Sequence, residues 1–226
     1  MSRSRLPRTI AIDGPAASGK TTVGRMLARD FGYLFLDTGL MYRAFALAAV
    51  RNGLSPTDAE ACERLARSLP LSVQAKGDTR IFLAGEDVTD LLRDPEVERT
   101  VSAYSAIAGV RAVMVEHQRT IARRHRVVLA GRDIGTVVLP HASLKLYLDA
   151  SETARAERRS HQTEQWRVRR DEAGSLEDIT QRDRIDSTRA VSPLKAAEDA
   201  IYIDTTVLTL DDVVERVERE VRCWDG

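Results

Sequence analysis

Short apolar stretches alternate with longer segments of mixed polarity along most of the chain. Five stretches are rich in aliphatic residues and have the length of strands that are buried on both faces of a sheet. They are residues 8–12, 33–36, 127–130, 144–148 and 200–203. Seven segments have the pattern of helices. They are residues 20–30, 40–50, 59–68, 110–124, 151–170, 176–184 and 210–222. This alternation predicts an α/β fold with a largely parallel sheet.

One segment departs from this alternation. Residues 71–76 and 79–83 each alternate apolar and polar positions, and Gly77 and Asp78 stand between them. Two such runs around a Gly-Asp turn predict an antiparallel hairpin. The hairpin falls between the second and third predicted core strands. We therefore interpret residues 39–110 as a subdomain inserted into a core formed by residues 1–38 and 111–226.

The composition is that of a globular protein with a bias toward arginine. Of 226 residues, 43% are hydrophobic and 30% are charged. Lysine and arginine together number 34, and the lysines among them are Lys20, Lys76, Lys145 and Lys195. Because acidic residues also number 34, the chain lacks the basic excess with which proteins bind nucleic acids. A GC-rich genome would encode such a bias, and the arginines that lie in motifs are available to bind phosphates.

The N-terminus and the cysteines indicate where the protein works. The apolar residues 10–12 are followed at once by Asp13 and Gly14, so the basic N-terminal segment lacks the apolar region of a signal peptide. No stretch approaches the length of a membrane span. Cys62 and Cys223 have no CxxC partner. We expect a soluble, cytoplasmic monomer without a disulfide framework, a zinc site or a membrane partner.

The strongest chemical signal is a glycine-rich loop. Residues 14–21 read GPAASGKT, which fits the phosphate-binding pattern GxxxxGK[ST] between a predicted strand and a predicted helix. In this pattern the backbone N–H groups and the helix N-terminus face phosphate oxygens. Lys20 then bridges the β- and γ-phosphates, and Thr21 binds Mg²⁺. The residues predicted to bind ATP are Gly14, Pro15, Ala16, Ala17, Ser18, Gly19, Lys20, Thr21 and Thr22.

A phosphate-binding loop does not identify the acceptor. A small-molecule kinase, a GTPase switch and an ATP-driven motor are the alternatives. None of the four lysines stands in an Asn-Lys-x-Asp guanine-binding motif, and strand 127–130 ends in Gly131, Arg132 and Asp133 rather than in an acidic pair. Open α/β sheets bind ligands at the carboxyl ends of their strands, so these residues favour a small kinase. A nucleotide-dependent module that binds RNA is the alternative from another class.

Six motifs occur in the order found in one enzyme family. They are Ile12-Asp-Gly-Pro15, Asp37-Thr-Gly-Leu-Met-Tyr-Arg43, Gly85-Glu-Asp-Val88, Ser102 with Arg111, Gly131-Arg-Asp-Ile-Gly-Thr136 and Arg182-Asp-Arg-Ile-Asp-Ser-Thr-Arg189. With them the chain resembles the bacterial cytidylate kinases (CMP kinases) from about Thr9 to Val221. The resemblance implies a P-loop NTPase core with a five-stranded parallel sheet. It also implies an inserted monophosphate-binding subdomain with a small antiparallel sheet, and a short lid at about residues 155–172. The implied reaction is ATP-dependent, Mg²⁺-assisted phosphorylation of CMP and dCMP.

The resemblance also assigns residues to the acceptor phosphate. It implies that Arg43, Arg132 and Arg189 bind this phosphate with help from Thr38. Guanidinium groups suit the task because their planar fork matches phosphate oxygens. Tyr42 either packs against the pyrimidine or ribose or belongs to the core of its helix.

Further residues are implied for the base and the sugar. Cytosine presents an N4 donor and an N3 acceptor where uracil presents the reverse. The resemblance assigns the reading of that edge to Ser102, Arg111 and Asp133, although Ser102 could equally be a helix cap. It assigns a ribose hydroxyl to Asp186, with Arg182 alongside.

Phosphoryl transfer depends on alignment and charge neutralisation. We expect in-line attack by a CMP phosphate oxygen on the γ-phosphorus without a general base, because the attacking group is already an anion. Lys20 and Arg132 would stabilise the transferred group together with the lid residues Arg155 and Arg159. Arg158 is equally close, and the sequence does not choose among the three lid arginines. Beyond Thr21, the candidate carboxylates near Mg²⁺ are Asp13, Asp37 and Asp133.

Overall fold

A computed structural model of the protein describes residues 6–74, 79–165 and 172–225. The predicted Gly77-Asp78 turn and the last residues of the predicted helix 151–170 lie outside these ranges. The strands are β1 (Thr9–Asp13), β2 (Leu34–Asp37), β3 (Leu71–Gln74), β4 (Arg80–Leu83), β5 (Glu86–Asp87), β6 (Val127–Gly131), β7 (Leu144–Asp149) and β8 (Ile201–Asp204). The helices are α1 (Lys20–Phe31), α2 (Thr38–Arg51), α3 (Ala59–Ser68), α4 (Pro95–Ser105), α5 (Ala108–Arg124), α6 (Glu152–Gln165), α7 (Glu172–Thr188) and α8 (Leu210–Arg222).

Five parallel strands form the main sheet in the order β2-β6-β1-β7-β8. These are the five core strands predicted from the sequence. Successive side chains point to opposite faces, and both faces are covered. Ile10 and Ile12 pack in a cluster with residues of α1 and α8 such as Leu27 and Val217. Ala11 packs on the other face in a cluster with residues of α2 and α5. Burial on both faces explains why these strands read as continuous apolar runs.

A second sheet consists of three antiparallel strands, β3-β4-β5. Leu71 pairs with Leu83 and Gln74 with Arg80, which confirms the predicted pairing of these two runs. Ile81 is fully buried and belongs to the same apolar cluster as Ala11 of the main sheet. The segment between β2 and β6 therefore shares a hydrophobic core with the parallel sheet.

Helix α4 was not predicted from the sequence. It begins at Pro95, and the side chain of Asp94 accepts a hydrogen bond from the backbone N–H of Glu96 at 2.8 Å. A short 3₁₀ turn, Thr89–Arg93, precedes it. The alternative interpretation of Ser102 was a helix cap, but Ser102 lies inside α4, whose caps are Asp94 and Ala106.

The parallel topology brings all five carboxyl ends of the strands to one edge of the main sheet. Asp13, Asp37 and Gly131 lie there at the ends of β1, β2 and β6. The glycine-rich loop, α2, and the segment that begins with Arg132 follow directly. Within the described ranges, no helix is both long and apolar enough to cross a membrane.

Candidate active site

The glycine-rich loop connects β1 to α1, as predicted. Gly14 has a φ angle of 147°, and a Cβ atom placed on it would lie 2.0 Å from the carbonyl oxygen of Leu148. This close approach to the neighbouring strand requires a glycine. The Lys20 ammonium donates to the Pro15 carbonyl at 2.5 Å and to Ser18 Oγ at 3.3 Å. Burial lowers the pKa of Lys20, and the nearby charge of Arg132 lowers it further. An anion between these two cations would relieve that repulsion.

We expect Gly14→Ala to destabilise the protein by about 3 kcal/mol or more, because a clash with rigid backbone is added to the strain of a positive φ angle. The matched control is Gly53→Ala, since Gly53 also has a positive φ angle, of 63°, but has no atom within 4 Å of the added Cβ. Urea unfolding of both variants measures the difference. Equal losses of stability would show that the Leu148 carbonyl does not restrict this position.

Two side chains beside the loop offer oxygen ligands to a metal ion. Thr21 Oγ1 donates to Asp37 Oδ2 at 2.8 Å, which places a hydroxyl and a carboxylate side by side at the ends of α1 and β2. Among the described residues, no group of three or more His, Cys, Asp or Glu side chains could hold a metal ion. One hydroxyl and one carboxylate suit an ion that takes most of its ligands from phosphate and water.

Asp13 supports the segment that follows β6. Its Oδ1 and Oδ2 accept the backbone N–H groups of Ile134 at 2.8 Å and Gly135 at 2.7 Å. These bonds fix the turn that carries Arg132 and Asp133. Burial of the carboxyl group raises the pKa of Asp13 to about 6, although both backbone bonds lower it.

The raised pKa predicts a dependence of stability on pH. A carboxyl group that binds its proton more tightly in the folded state stabilises the fold below its unfolded pKa. This contribution is lost as the pH rises from about 4 through about 6. Between about pH 4 and pH 6 we expect the free energy of unfolding of the wild type to fall by about 3 kcal/mol relative to that of Asp13→Asn. Denaturant unfolding of both proteins at pH 4 and pH 7 measures this change. A difference between the two proteins that stays constant with pH would contradict the assignment.

Three arginines predicted from the sequence converge on Glu98 of α4. Arg43 of α2 lies 2.8 Å from the carboxylate and Arg182 of α7 lies 3.3 Å from it, while Arg159 of α6 forms a shorter ion pair. Arg182 also donates to the Glu98 carbonyl at 3.0 Å. Burial would raise the pKa of Glu98, but the charges of the three arginines outweigh it and lower the pKa to about 2.

A second cluster joins the segment after β6 to the end of α7. Arg132 Nε donates to Asp186 Oδ2 at 2.9 Å, and Arg189 lies 3.5 Å from the same carboxylate. Arg189 is also 3.8 Å from Asp133, which forms a fully buried ion pair with Arg111. The resemblance assigned Arg182 to the sugar alongside Asp186. In the structure Arg182 lies one turn of α7 before Asp186 and pairs with Glu98, while Arg132 and Arg189 pair with Asp186.

Several buried polar atoms beside the Arg111–Asp133 pair have hydrogen-bonding capacity to spare. Among the described residues Arg111 Nε has no hydrogen-bond partner, and Arg189 Nη2 has only its ion pair with Asp133 at 3.8 Å. Tyr42 Oη and the Gln118 amide form no well-aligned hydrogen bond, although Gln118 lies close enough to Tyr42 to lower its pKa. The Arg111 guanidinium lies over the Tyr42 ring, 5.2 Å from its centroid. Burial raises the pKa of Tyr42 to about 12, so its hydroxyl stays protonated. Buried unpartnered atoms are costly in a native protein, and here they leave hydrogen-bonding capacity for a ligand.

The three arginines of the predicted lid have different partners. Arg155 donates to the Ala16 carbonyl at 3.1 Å and forms an ion pair with Asp183, whose Oδ1 accepts the backbone N–H of Ala16 at 3.1 Å. Arg155 and Asp183 thus tie α6 and α7 to the glycine-rich loop. Arg158 instead donates to Thr205 Oγ1 at 2.9 Å, and therefore binds the loop after β8. The three arginines that the sequence could not separate thus face different parts of the site.

Of the remaining predicted residues, Thr38 lies at the carboxyl edge of the main sheet and Ser102 lies in α4. Thr38 Oγ1 donates to the Ala130 carbonyl at 2.9 Å, which joins the start of α2 to the end of β6. Ser102 is buried in α4, four residues after Glu98. Arg132 connects the two halves of the site electrostatically. Its charge lowers the pKa of Lys20 in the loop. It also lowers the pKa of Arg182, for which burial and the charges of Arg43 and Arg159 are larger causes of the lowering.

The family is decided by a match along nearly the whole chain. The sequence model of the cytidylate kinase family matches residues 10–223. The chain belongs to the cytidylate kinase family. A cytidylate kinase of Pelotomaculum thermopropionicum is 45% identical over 214 residues, which cover 94% of this chain and 95% of that relative. A cytidylate kinase of Streptococcus pneumoniae is 46% identical over 213 residues, which cover 93% and 96%.

Solved structures resemble the fold more distantly. Shikimate kinase from Acinetobacter baumannii aligns with a TM-score of 0.46 and 18% identity over 96% of this chain and 93% of that one. Membership of the cytidylate kinase family rests on the sequence matches.

Sequence reasoning missed the carboxylates that organise the cytidylate kinase motifs in this chain. Glu98 and Asp183 hold Arg43, Arg155, Arg159 and Arg182 between them. Asp183 stands inside a motif, next to Arg182, and could have been found there. Glu98 gave no such signal, because its helix was not predicted and ion pairs between distant segments leave no spacing pattern. Gln118 was also missed, although it lies two turns after Arg111 on one face of α5.

Proposed function

We propose that this cytidylate kinase transfers the γ-phosphoryl group of ATP to CMP and dCMP at the edge of the parallel sheet described above. One observation carries the assignment of residues. The glycine-rich loop and two arginine clusters lie at the same edge, and Arg132 acts electrostatically on both. A triphosphate donor and a monophosphate acceptor need such an arrangement, since both substrates are anions and must approach each other.

On the donor side, residues 14–22 bind the ATP phosphates through backbone N–H groups, and Lys20 exchanges its bonds to Pro15 and Ser18 for phosphate oxygens. Thr21 and Asp37 would hold Mg²⁺. The pair fits this ion, because Mg²⁺ prefers oxygen ligands and usually takes only one or two from the protein besides phosphates and water. Bound Mg²⁺ would neutralise and orient the phosphate oxygens.

On the acceptor side, Arg43, Arg132 and Arg189 bind the CMP phosphate, with Thr38 beside them. Arg132 uses only its Nε toward Asp186 among the described residues, which leaves its terminal N–H groups for a ligand. Arg189 Nη2 has no hydrogen-bond partner in the described ranges. The acceptor phosphate can therefore bind without displacing these arginines from Asp186.

The base is read by Asp133, Arg111 and Ser102. A carboxylate accepts from the cytosine N4 amino group, and a guanidinium donates to N3 or O2. Arg111 fixes the carboxylate of Asp133, and Tyr42 packs beneath this pair. The ribose hydroxyls bind Asp186, and Arg182 contributes from the Glu98 cluster rather than from a place beside Asp186.

The protein's part in the transfer is electrostatic. A CMP phosphate oxygen attacks the γ-phosphorus in line, and no side chain removes a proton. Lys20, Arg132, Arg155 and Arg159 neutralise charge on the transferred group, and preorganised charges of this kind are the usual source of rate in phosphoryl transfer. Residues 39–110 act as the CMP-binding subdomain. The lid comprises about residues 155–172, of which residues 166–171 lie outside the described ranges.

A coupled assay of ADP release tests the proposal with CMP, dCMP, UMP, AMP and GMP as acceptors. We expect kcat/KM to be highest for CMP and dCMP, and activity to require Mg²⁺. Higher activity with AMP or GMP would overturn the assignment of the acceptor. Transfer to none of them, together with salt-sensitive RNA binding, would favour the RNA-binding alternative. We further propose a cytoplasmic monomer without a nucleic-acid partner, and light scattering of the purified protein checks the monomer.

A further inference from the structure

Helices α6 and α7 hold one peptide group of the glycine-rich loop from both sides. Asp183 Oδ1 of α7 accepts the backbone N–H of Ala16 at 3.1 Å, and Arg155 of α6 donates to the Ala16 carbonyl at 3.1 Å. Asp183 Oδ2 also forms an ion pair with Arg155. These three contacts, the Ala16 clamp, join the loop, α6 and α7. None of the roles assigned from the sequence falls on Asp183.

The clamped peptide group precedes a strained residue. Ala17 has a φ angle of 57°, which is a left-handed conformation that is unfavourable for alanine. Such a residue keeps its conformation only where its surroundings fix it. The bonds of Asp183 and Arg155 to Ala16 fix the backbone immediately before Ala17.

Apolar packing between the two helices and the loop is small. Among the described residues, the apolar cluster at this contact consists of Ala16, Ala156 and Ile179, with the partly buried Ala17 packed against it. Hydrophobic stabilisation grows with the apolar area that is buried, and alanine side chains bury little. The position of the helices against the loop therefore depends on the Ala16 clamp.

The clamp also orients the guanidinium group of Arg155, whose side chain is 6% exposed. Its Nε donates to the Ala150 carbonyl at 3.0 Å, and its Nη1 forms the bonds to Ala16 and Asp183. With the described residues, Arg155 Nη2 forms no hydrogen bond. The guanidinium group is thus fixed by two of its nitrogens, and the third is available to a phosphate oxygen.

Asp183 acts electrostatically on both parts of the site. Burial and the charge of Arg132 lower the pKa of Lys20, and the charge of Asp183 opposes this lowering. Burial also lowers the pKa of Arg132, but the charges of Asp186 and Asp183 contribute to a net rise. The carboxylate therefore lies near the two cations that neutralise the transferred group in the proposed function.

We infer that Asp183 is a positioning residue for the phosphoryl transfer, an inference that rests on the proposed function. Its carboxylate holds the Arg155 guanidinium and the Ala16 peptide group in one arrangement, so that Arg155 meets the transferred group without reorganising. Charges that are fixed in advance in this way stabilise a transition state most effectively. Asp183 itself binds neither substrate.

This role makes the effect of Asp183 on the rate depend on Arg155. If Asp183 acts by orienting Arg155, its loss slows the transfer only while Arg155 is present. If Asp183 contributes independently of Arg155, the losses caused by changing the two residues multiply. A double-mutant cycle separates these two cases.

Steady-state kinetics of wild type, Asp183→Asn, Arg155→Met and the double variant test the inference. Asparagine keeps an oxygen for the Ala16 N–H but removes the charge that pairs with Arg155. We expect Asp183→Asn to lower kcat by at least about 10-fold, because a misplaced catalytic group slows the reaction. The KM of CMP should stay within about 2-fold. The double variant should have a kcat within about 2-fold of that of Arg155→Met.

Asp199→Asn is the control for the loss of a carboxylate from an ion pair. Asp199 lies 2.8 Å from the ammonium group of Lys145, a buried lysine of β7. It precedes β8 and therefore lies at the end of the sheet opposite to the site. This variant should keep the kcat and KM of wild type. Circular dichroism of all variants checks the fold.

An unchanged kcat in folded Asp183→Asn would overturn the inference, and so would a double variant whose loss equals the product of the single losses. If Asp183→Asn does not fold because Arg155 loses its counter-charge, the double variant is compared with Arg155→Met alone. A further loss of more than about 2-fold in kcat would then overturn the inference. Failure of the double variant to fold would make Asp183 an architectural residue and would also overturn it.

Failure of the proposed function has a different signature. Wild type itself would then transfer no phosphate to CMP, or Arg155→Met would keep the kcat of wild type. In the second case the assignment of Arg155 to the transferred group would be wrong, whatever the result for Asp183→Asn.

Discussion

Replacement of Lys20 by alanine is expected to lower kcat by at least about 10²-fold, which is the usual loss when a preorganised charge on the reacting group is removed. Lys20 is the lysine of the glycine-rich loop, and its ammonium group is buried between that loop and the charge of Arg132. A substrate phosphate bound between Lys20 and Arg132 would be stabilised by both positive charges. Steady-state kinetics with saturating ATP and CMP measure the effect.

The control for this variant is Lys195→Ala, which removes an exposed lysine. It should keep the kcat of wild type. Circular dichroism of both variants checks that the fold is retained. A folded Lys20→Ala enzyme with unchanged kcat would remove Lys20 from the mechanism and leave the arginines to neutralise the transferred group.

Asp133→Asn is expected to reduce the preference for CMP over UMP by at least about 10-fold in kcat/KM. The substitution replaces a group that only accepts hydrogen bonds with an amide that can also donate. The amide can therefore pair with the O4 acceptor of uracil as well as with the N4 donor of cytosine. Kinetics with both acceptors give the ratio, and an unaltered ratio would contradict the assignment of Asp133 to the base.

The same substitution leaves Arg111 buried without its counter-charge, which destabilises a protein by on the order of 3 kcal/mol. Thermal unfolding must therefore accompany the kinetics, and rates must be measured well below the midpoint. Asp90→Asn is the control, because Asp90 is exposed in the turn before α4. It should alter neither the ratio nor the stability.

The parallel sheet could be predicted from the sequence because strands that are buried on both faces are continuous apolar runs. Strand β6 was expected at residues 127–130 and occupies Val127–Gly131. The β3–β4 pairing was predicted for a similar reason, since a two-residue alternation distinguishes a strand with one buried face. In both cases the pattern reflects the environment of a single segment.

Helix α4 shows where that kind of reasoning fails. Its apolar positions, Val97, Val101 and Tyr104, do have the i, i+4, i+7 spacing of a helix face, but they are few and lie between charged and small residues. Asp94 followed by Pro95 was a readable start signal, because a capping side chain and a first-turn proline favour a helix N-terminus.

Motif residues of the site were predictable, whereas their partners were not. Arg132 and Asp133 directly follow strand β6, and open α/β sheets bind ligands at the carboxyl ends of their strands. Their position along the chain therefore predicted their place in the fold. The pairing of Arg43 with Glu98 joins two helices that are far apart in sequence. Such a contact depends on how α2 and α4 pack, and this packing was not available from single segments. The choice among the lid arginines was open for the same reason.

A crystal structure of the protein with bound CMP tests the assignment of the site most directly. We predict that the cytosine N4 amino group faces the carboxylate of Asp133 beside Arg111, and that the phosphate lies among Arg43, Arg132 and Arg189. A cytosine whose N4 faces another carboxylate, or a phosphate bound away from these arginines, would contradict the account of how this cytidylate kinase recognises its acceptor.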